Sequence, residues 1–431
     1  MSHAHTNPIR DVIVVGGGPA GLMAAIAAAE AGADTLLIEK GHRLGRKLGI
    51  SGGGRCNVTN AKPLPELMKN IPGNGRFLYS ALHRFSNEDV RRFFESLGIR
   101  LKEEDRGRVF PVSDRAETVV KALVNKVFDV GAEVWEDCPV AGLLAEDGEI
   151  RGVRLQRGGE VRARAVVVAT GGCSVPKTGS TGDAYPWARR LGHTIVDPYP
   201  TEVPLTSDES FIRQRRLQGI SLRGITATVR DGHGKRLTQE QGDILFTHFG
   251  LSGPVALRCS HYVSTARRSD PAVALTVEID CLPNHTLADL LEDWARRRSA
   301  EPRKRVRTVL EALLPDRLVE VAIERVGIPV EQTMANVRNT DLESLAHLVK
   351  AFPIRVSGTL PLAQATVTGG GVSVKEIDPR TMESKRCRGL YFAGEVMDVH
   401  AHTGGYNITV AFSTGHLAGT SAAEHALALR S

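Results

Sequence analysis

The sequence predicts an α/β fold that opens on a buried parallel sheet, and three observations support this prediction. An apolar run over residues 12–15 reads as a buried strand and leads into glycines at G-x-G-x-x-G spacing. Residues 22–31 are rich in alanine, which favours a helix. A second apolar run, residues 35–38, ends in Glu39, eighteen residues after the last of those glycines. Strand, glycine turn, helix, strand and acid in this order are typical of a dinucleotide-binding unit.

Each residue of this unit has a physical role. Gly16 permits a sharp turn, Gly18 lets a pyrophosphate approach the backbone, and Gly21 lets the helix pack closely on the strand. The free N–H groups at the start of the helix attract phosphate, and the acid after the second strand can accept hydrogen bonds from ribose hydroxyls. The predicted cofactor contacts in this unit are Gly16, Gly18, Pro19, Ala20, Gly21, Glu39 and Lys40.

Composition excludes several protein classes. A chain of 431 residues predicts two or three domains, and no apolar run reaches the roughly 18 residues that a membrane span needs. The first ten residues lack the apolar core of a signal peptide. The six cysteines are scattered without a C-x-x-C pair, which argues against disulfides, a structural zinc site and a redox-active dithiol. We therefore expect a cytoplasmic, reduced protein without a metal site, whose net charge of +6 permits a polyanionic partner.

Later segments favour FAD over NAD as the bound dinucleotide. The buried run 166–172 follows two short strands and ends in an Ala-Thr-Gly turn, and the run 389–398 is a second short strand that ends in Gly-Glu. The segment 408–422 predicts a helix whose N-terminus could stabilise negative charge on a reduced flavin. No second complete fingerprint is present, so we expect NAD(P)H to bind only transiently. The predicted FAD contacts here are Val140, Thr170, Gly171, Gly394, Glu395, Asp398, Gly405 and Asn407.

A glycine-rich loop over residues 44–60 is the most specific stretch of the sequence. Consecutive glycines suit neither a helix nor a strand, but they suit a backbone that lies against a flat ring or a phosphate. Basic residues beside them could balance a pyrophosphate or a reduced flavin. Cys56 is either a small packing residue or a proton donor near the flavin. The predicted cofactor contacts of the loop are Arg46, Lys47, Ser51, Gly52, Gly53 and Arg55.

Four motifs together resemble the BaiN/RdsA-type family of NAD(P)/FAD-dependent oxidoreductases, also called aminoacetone-oxidase-like flavoproteins. They are Ile50-Ser-Gly-Gly-Gly-Arg-Cys-Asn-Val-Thr-Asn60, residues 169–183, Leu245-Phe-Thr-His-Phe-Gly-Leu-Ser-Gly-Pro254 and residues 393–407. Because they run from end to end, the resemblance covers essentially the whole chain. It implies a Rossmann-like FAD-binding domain of the glutathione-reductase type, in the two-dinucleotide-binding-region superfamily, with an inserted β-domain and a small helical insertion.

The predicted domain organisation is discontinuous, because the last strand and helix of the FAD-binding domain lie near the end of the chain. Short alternating runs separated by turns predict the β-rich insertion, and helical spacing broken by prolines predicts the helical one. The predicted segments are 1–198 (FAD-binding domain, first part), 199–285 (β-rich domain, first part), 286–352 (helical insertion), 353–365 (return strand of the β-rich domain) and 366–431 (FAD-binding domain, closing part).

The helical insertion carries a basic run, in which seven basic residues oppose one acid, Glu301, across residues 294–307. This run is either a solvated helix face or a patch that binds RNA phosphates. Trp294 could stack on a base, although a single tryptophan on a helix is more often packed. The candidate RNA contacts are Arg296, Arg297, Arg298, Arg303, Lys304, Arg305 and Arg307.

The resemblance implies an enzyme in which NAD(P)H reduces the flavin and the flavin passes hydride to an activated C=C bond. Three functions compete: reduction of uridine to dihydrouridine in large-subunit ribosomal RNA, reduction or amine oxidation of a small molecule, and flavin binding without turnover. Reducing a C=C bond also needs a proton donor, for which Cys56, His400 and His402 are candidates. Each histidine could instead form a structural hydrogen bond beside a glycine-rich turn.

Overall fold

The computed structural model of the chain describes residues 9–430. Those residues form two compact units, one made of residues 9–199 and 362–430 and the other of residues 200–361. Residues 1–8 and 431, which the predicted first and last segments include, lie outside the described residues. The α/β fold class with a Rossmann-like domain is confirmed, whereas the domain boundaries drawn from the sequence stay a prediction.

Helices and strands are mixed along the chain, with several runs of successive strands or successive helices. The strands are β1 (Arg10–Val15), β2 (Thr35–Ile38), β3 (Thr59–Asn60), β4 (Leu101–Glu104), β5 (Arg108–Pro111), β6 (Glu133–Trp135), β7 (Val140–Glu146), β8 (Glu149–Leu155), β9 (Glu160–Val168), β10 (Ile195–Thr201), β11 (Leu205–Thr206), β12 (Ser221–Asp231), β13 (Arg236–Phe246), β14 (Gly250–Ser252), β15 (Leu275–Asp280), β16 (Phe352–Val356), β17 (Gly358–Thr359), β18 (Val367–Val372) and β19 (Leu390–Phe392). The helices are α1 (Pro19–Glu30), α2 (Arg46–Ile50), α3 (Leu64–Met68), α4 (Tyr79–Arg84), α5 (Asn87–Ser96), α6 (Ala116–Asp129), α7 (Ala184–Arg190), α8 (Ser210–Arg213), α9 (Gly253–Ser269), α10 (Leu287–Ala300), α11 (Val306–Glu311), α12 (Asp316–Val326), α13 (Asn339–Lys350) and α14 (Tyr406–Ala428).

The central sheet of the first unit has the strand order β6-β2-β1-β9, with β19 also paired to β9, and all of these strands run parallel. Val12, Ile13 and Val14 are fully buried, as expected for parallel strands covered on both faces. The long strand β9 pairs with β8 over its first residues and with β19 over its last ones, and β7 extends the β8 edge. The meander that the sequence predicted before the Ala-Thr-Gly turn is therefore present.

Helix α14 lies against α1 at backbone contact. A Cβ atom added at Gly415 would lie 2.2 Å from the carbonyl oxygen of Ala20, and one added at Gly419 would lie 2.2 Å from that of Ala24. Such spacing of glycines lets two helices approach until side chains no longer separate them. Because α1 begins the first unit and α14 ends it, this contact joins the two ends of the chain.

A buried carboxylate holds the same two ends together. Asp11 in β1 is fully buried and accepts hydrogen bonds from Arg164 at 3.1 Å and from Arg430 Nε at 2.7 Å. The backbone N–H of Asp34 donates to its other carboxylate oxygen at 2.7 Å. A buried charge needs such partners, because an unpaired carboxylate would be strongly destabilising there.

The second unit contains a seven-stranded sheet with the order β16-β15-β12-β13-β14-β11-β17, and its strand pairs are antiparallel wherever the register is defined. Helices α9 to α13 share one hydrophobic core with this sheet. Trp294 in α10 is 1 % exposed, so it packs in that core and cannot stack on a base. Within residues 9–430, no helix is both long and apolar enough to cross a membrane.

We predict that Gly415→Ala lowers the free energy of unfolding by about 1–3 kcal/mol, because the new methyl group would push α14 away from α1. Gly49→Ala is the matched control, since a Cβ atom there would meet its nearest atom, Val120 Cγ2, at 4.0 Å. Thermal and urea unfolding of the purified proteins measure both effects. Equal stability of the two variants would contradict the proposed contact.

Candidate cofactor-binding and active site

The three glycines of the first loop have three different surroundings. Gly16 has φ +108°, and a Cβ atom there would lie 2.6 Å from the carbonyl oxygen of Ala169. A Cβ atom at Gly21 would lie 1.8 Å from the carbonyl oxygen of Gly16. A Cβ atom at Gly18 would meet nothing within 4 Å. Two of the glycines are therefore required by packing within the fold, whereas Gly18 faces open space that a ligand can fill.

The open position lies at the start of α1. Gly18 is the N-cap residue, Pro19 is the first helical residue, and no side chain caps this end. The N–H groups of the first turn therefore remain for an anion, to which the helix dipole adds positive potential. Ala20, in the same turn, is 5 % exposed and forms part of the contact with α14.

Glu39 directly follows β2 and lies beside the glycine turn at the end of β1. One carboxylate oxygen accepts a hydrogen bond from Gly17 N–H at 2.7 Å, and the other accepts one from Gly41 N–H at 2.8 Å. These bonds fix the carboxylate, and each oxygen keeps a lone pair that can accept a ribose hydroxyl. The neighbouring Lys40 is engaged elsewhere, because its ammonium pairs with Asp183.

Glycines shape the turns after β9 and β19 as well. Gly171 has φ +74°, and a Cβ atom there would lie 3.0 Å from the hydroxyl oxygen of Ser180. Gly394 has φ +74° and lies so close to α1 that a Cβ atom would come within 2.8 Å of Ala20 Cβ. Thr170 Oγ1 is buried and has no hydrogen-bond partner among residues 9–430. Both turns therefore lie at the end of the sheet where Gly16 turns.

A half-buried ion pair connects the glycine-rich loop to the closing segment. Lys47 donates to Glu395 and to Ser174, each at 2.7 Å. The other oxygen of Glu395 accepts from Thr368 N–H at 2.7 Å and from the Ser174 hydroxyl at 3.1 Å. Burial alone would raise the pKa of the Glu395 carboxyl, but the Lys47 ammonium and these hydrogen bonds lower it below its ordinary value. Three segments predicted to contact the cofactor therefore meet at one carboxylate.

Two of the three basic residues of the glycine-rich loop, Lys47 and Arg55, form ion pairs with carboxylates. Arg55 forms ion pairs with Glu104 and Asp114 and stacks over the Phe110 ring at 4.2 Å. Arg46 donates to the carbonyl oxygen of Lys177 at 2.5 Å. The fold thus supplies Arg55 and Lys47 with carboxylate partners, and their contacts with a pyrophosphate or a flavin stay a prediction. What the sequence missed was that those carboxylates lie far along the chain.

The glycines of the loop adopt the backbone conformation that favours glycine. Gly52 and Gly53 have φ +56° and +68°, and a Cβ atom at Gly53 would meet nothing within 4 Å. Ser51 lies just before them and donates from its hydroxyl to the carbonyl oxygen of Leu48 at 2.7 Å. The loop thus presents bare backbone on one side, as a flat ring or a phosphate would require.

Cys56 is fully buried and has φ +60°. Burial raises the pKa of its thiol to about 12, and a hydrogen bond with Ser51 only partly offsets this. A thiol without solvent exposure and with such a pKa is a poor proton donor near neutral pH. The fold therefore favours the packing role for Cys56 over the catalytic one.

The two histidine candidates lie on one ordered loop before α14. Asn407 fixes this loop, because its side-chain oxygen accepts from Ala401 N–H at 2.8 Å and its side-chain nitrogen donates to the carbonyl oxygen of Ala401 at 2.7 Å. Gly405, with φ +93°, caps α14 and passes so close to Thr59 that a Cβ atom would lie 2.4 Å from its carbonyl oxygen. His400 and His402 are 3 % and 5 % exposed. The structure therefore gathers both histidines at the N-terminus of α14.

The two remaining predicted contacts lie on other elements. Asp398 accepts hydrogen bonds from the Asn74 side chain, at its backbone oxygen at 2.7 Å and at its carboxylate at 3.0 Å. Val140 begins β7 and pairs with Leu155. Their contacts with a cofactor stay a prediction.

The basic run of the helical insertion is largely neutralised within the second unit. Arg296 and Arg297 pair with Asp293, Lys304 with Glu301, Arg305 with Glu331, and Arg307 with Glu311 and Glu320. Arg298 donates to the carbonyl oxygens of Met334 and Val337. Of the seven, Arg303 alone has no such interaction with another described residue. The run is therefore less basic than the sequence indicates, and its RNA contacts stay a prediction.

Comparison with known proteins agrees with this geometry. The model of the HI0933-like protein Rossmann domain matches residues 10–421. The chain belongs to this family. It is 33% identical over 406 residues to the ribosomal RNA dihydrouridine synthase of Haemophilus influenzae, covering 94% of this chain and 96% of that one. It is 28% identical over 419 residues to the 3-dehydro-bile acid delta(4,6)-reductase of Clostridium scindens, covering 95% and 98%.

A solved structure supports the same fold. The 3-ketosteroid delta1-dehydrogenase of Sterolibacterium denitrificans superposes with a TM-score of 0.51 at 14% identity, covering 97% of this chain and 100% of that one. The family, the fold and the relatives together identify an FAD-dependent oxidoreductase. The residues present fit FAD, because Gly18 leaves room at a helix N-terminus, Glu39 offers a fixed carboxylate, and the backbone at Gly53 is bare. Within residues 9–430, no cluster of three or more His, Cys, Asp or Glu side chains could hold a metal ion.

We predict that Gly18→Val abolishes FAD retention without unfolding the protein, because its side chain would occupy only the open space beside α1. The absorbance of bound flavin at about one FAD per chain, together with circular dichroism, measures the two properties separately. Gly21→Ala is the contrasting variant, since its methyl group would clash with the Gly16 carbonyl oxygen and destabilise the fold itself. A folded Gly18→Val protein with unchanged FAD affinity would show that the first loop is assigned wrongly.

We predict that Lys47→Met destabilises the protein by about 1–3 kcal/mol at pH 8, and by less at pH 5. In the wild type, the lowered pKa of Glu395 makes its ionised form stabilising above the ordinary carboxyl pKa, and that stability is lost as the pH falls. Without Lys47, burial raises the pKa of Glu395, so its ionised form becomes a cost that grows as the pH rises. Urea unfolding at the two pH values checks the sign. The control combines Lys47→Met with Glu395→Gln, which should restore stability and remove the difference between the two pH values. A loss of stability in Lys47→Met that is the same at both pH values would contradict the role of the ion pair.

Proposed function

We propose that this chain reduces uridine to dihydrouridine in large-subunit ribosomal RNA, with NAD(P)H as the electron donor. The observation that carries the proposal is its identity of 33% with a ribosomal RNA dihydrouridine synthase over 94% of the chain. Both units are included in that match, so it extends beyond the FAD-binding domain that many unrelated flavoproteins share. The ordered histidine loop and the bare glycine backbone supply a site at which such chemistry can occur.

The structure around residues 368–371 supports the expectation that a pyridine nucleotide binds only transiently. The run Thr368-Gly-Gly-Gly371 lies in β18 and is followed by a short 3₁₀ turn rather than by a helix, so it does not build a second dinucleotide-binding unit. NAD(P)H would therefore approach without a Rossmann domain of its own and leave after reducing the cofactor.

The reaction adds a hydride to one carbon of the uracil C5=C6 bond and a proton to the other, and consumes the hydride of one NAD(P)H. When bound, FAD supplies the hydride chemistry. The chain must orient the base, exclude water and deliver the proton. Positive potential from the N-terminus of α14 would stabilise negative charge that develops beside it.

We assign proton delivery to His400 or His402 rather than to Cys56. Both histidines lie on a loop that the Asn407 side chain fixes, at the N-terminus of α14. An imidazolium can donate a proton from a ring nitrogen, whereas burial raises the pKa of the Cys56 thiol to about 12. Fixing the loop limits the orientations in which the imidazoles can meet a substrate.

A second candidate function is reduction of an activated C=C bond in a small molecule. Its support is the identity of 28% with a bile acid reductase over 95% of this chain. The neutralised basic run of the second unit also weakens the original argument for RNA, because most of its arginines already have carboxylate or carbonyl partners. The two candidates share FAD and the proton donor and differ only in substrate.

An anaerobic turnover assay distinguishes these candidates. The purified flavoprotein is incubated with NADH or NADPH and either isolated large-subunit ribosomal RNA from cells lacking the gene or a steroid with a conjugated enone. We expect dihydrouridine in the digested RNA by mass spectrometry, and no reduction of the steroid. Reduction of the steroid with unmodified RNA would overturn the proposal in favour of the small-molecule reductase.

A further inference from the structure

A segment of the first unit lies directly beside the histidine loop. Gly73 N–H donates to the carbonyl oxygen of His400 at 3.1 Å, and His402 N–H donates to that of Asn70 at 2.9 Å. A Cβ atom at Gly73 would lie 2.2 Å from the His400 ring, so this ring lies directly against the Gly73 backbone. Residues 69–84 are therefore held against the proposed proton donors.

This segment exposes basic charge that the fold does not neutralise. Residues 69–84 contain no acidic residue. Lys69, Arg76 and Arg84 are exposed, and none of the three forms an ion pair with any residue among 9–430. Residues 296–307 differ in this respect, because most of their charges already have partners within their own unit. A polyanion can contact the three exposed cations without breaking an ion pair of the protein.

An exposed aromatic pair accompanies the charge. Tyr79 is 59 % exposed, one of the largest such values for an apolar or aromatic side chain in the described part of the chain. Its ring lies 4.0 Å from that of His83, which is one helical turn later in α4 and also exposed. Burying an aromatic ring normally stabilises a protein, so this exposed ring is available to a partner.

We propose that residues 69–84 form the docking surface for an unpaired RNA strand, a proposal that rests on the proposed function. Lys69, Arg76 and Arg84 contact phosphates, and Tyr79 stacks on a base. Exposed cations that follow a backbone, together with aromatic rings for stacking, are the features by which proteins bind single-stranded nucleic acid. The bonds to the histidine loop would place the neighbouring nucleotides close to the site of reduction.

The experiment compares two triple variants that remove the same charge. Lys69→Ser, Arg76→Ser and Arg84→Ser are combined in one protein, and Lys121→Ser, Arg157→Ser and Arg189→Ser in the other. The control residues are also exposed, in the same unit and without ion pairs among the described residues. Binding of a fluorescent 20-nucleotide oligouridine and of isolated large-subunit ribosomal RNA is measured across salt concentrations. Three lost phosphate contacts should flatten the log–log salt dependence by about 2 for the oligonucleotide, with little change in the control.

Tyr79 is tested separately from the charges. Tyr79→Ala should weaken oligouridine binding about tenfold, the usual order for a lost stacking contact, whereas Tyr79→Phe should bind as the wild type does. FAD content and reduction of the bound flavin by NAD(P)H should be the same in all variants, because no hydrogen bond or ion pair among the described residues joins these side chains to a predicted FAD contact.

The outcomes separate this proposal from the proposed function. Wild-type protein that forms dihydrouridine while both triple variants bind RNA equally would overturn the docking surface alone. Wild-type protein with no salt-dependent RNA binding and no dihydrouridine formation would overturn both proposals. Weaker RNA binding by the triple variant of Lys69, Arg76 and Arg84 and by Tyr79→Ala, with unchanged binding by the control triple variant, supports the docking surface.

Discussion

The contact between α1 and α14 is the constraint on which the cofactor site depends. Gly415 and Gly419 allow α14 to lie on the backbone of α1, at distances that no side chain permits. That contact brings the loop before α1 and the loop before α14 into one unit, although about 390 residues separate them in the sequence. Without it, the glycine turn before α1 and the histidine loop would belong to separate parts of the chain.

Ion pairs complete what the helix contact begins. The buried carboxylate of Asp11 ties β1 to Arg430 at the end of the chain, and Glu395 ties the closing segment to Lys47. Asp11 is fully buried and Glu395 half-buried, and each carboxylate has several partners, which offset the cost of removing its charge from water. Ion pairs thus fix the positions of the glycine-rich loop and the closing segment, and close backbone contacts at glycines determine the shape of the site. The open space at Gly18 is what these contacts leave for the cofactor.

The sequence predicted those features that depend on local pattern. The spacing of Gly16, Gly18 and Gly21 predicts a role for each; the structure packs Gly16 and Gly21 tightly against backbone and leaves open space at Gly18, whose contact with a pyrophosphate stays a prediction. The sequence did not reveal the pairing of Lys47 with Glu395, because 348 residues separate the two and charge pattern carries no information over that distance. Ser174 and Thr368, which complete this network, were missed for the same reason, although Ser174 lies inside a family motif.

The basic run shows why a local count of charges misleads. Residues 294–307 contain one acid, but Asp293 lies one residue before that window, and Glu320 and Glu331 lie well after it. Folding brings these carboxylates to the arginines, so the net charge of the run is not the charge of the surface. In contrast, residues 69–84 have fewer basic residues, but Lys69, Arg76 and Arg84 form no ion pair with any residue among 9–430. Exposed charge must therefore be counted in the fold rather than along the sequence.

The most direct test of the central claim, that this FAD-dependent fold acts on ribosomal RNA, is made in the native host. The gene is deleted, and dihydrouridine in purified large-subunit ribosomal RNA is quantified by mass spectrometry before and after the wild-type gene is restored. The account predicts that one or more dihydrouridines disappear on deletion and return on restoration. An unchanged dihydrouridine content in the deletion strain would contradict it.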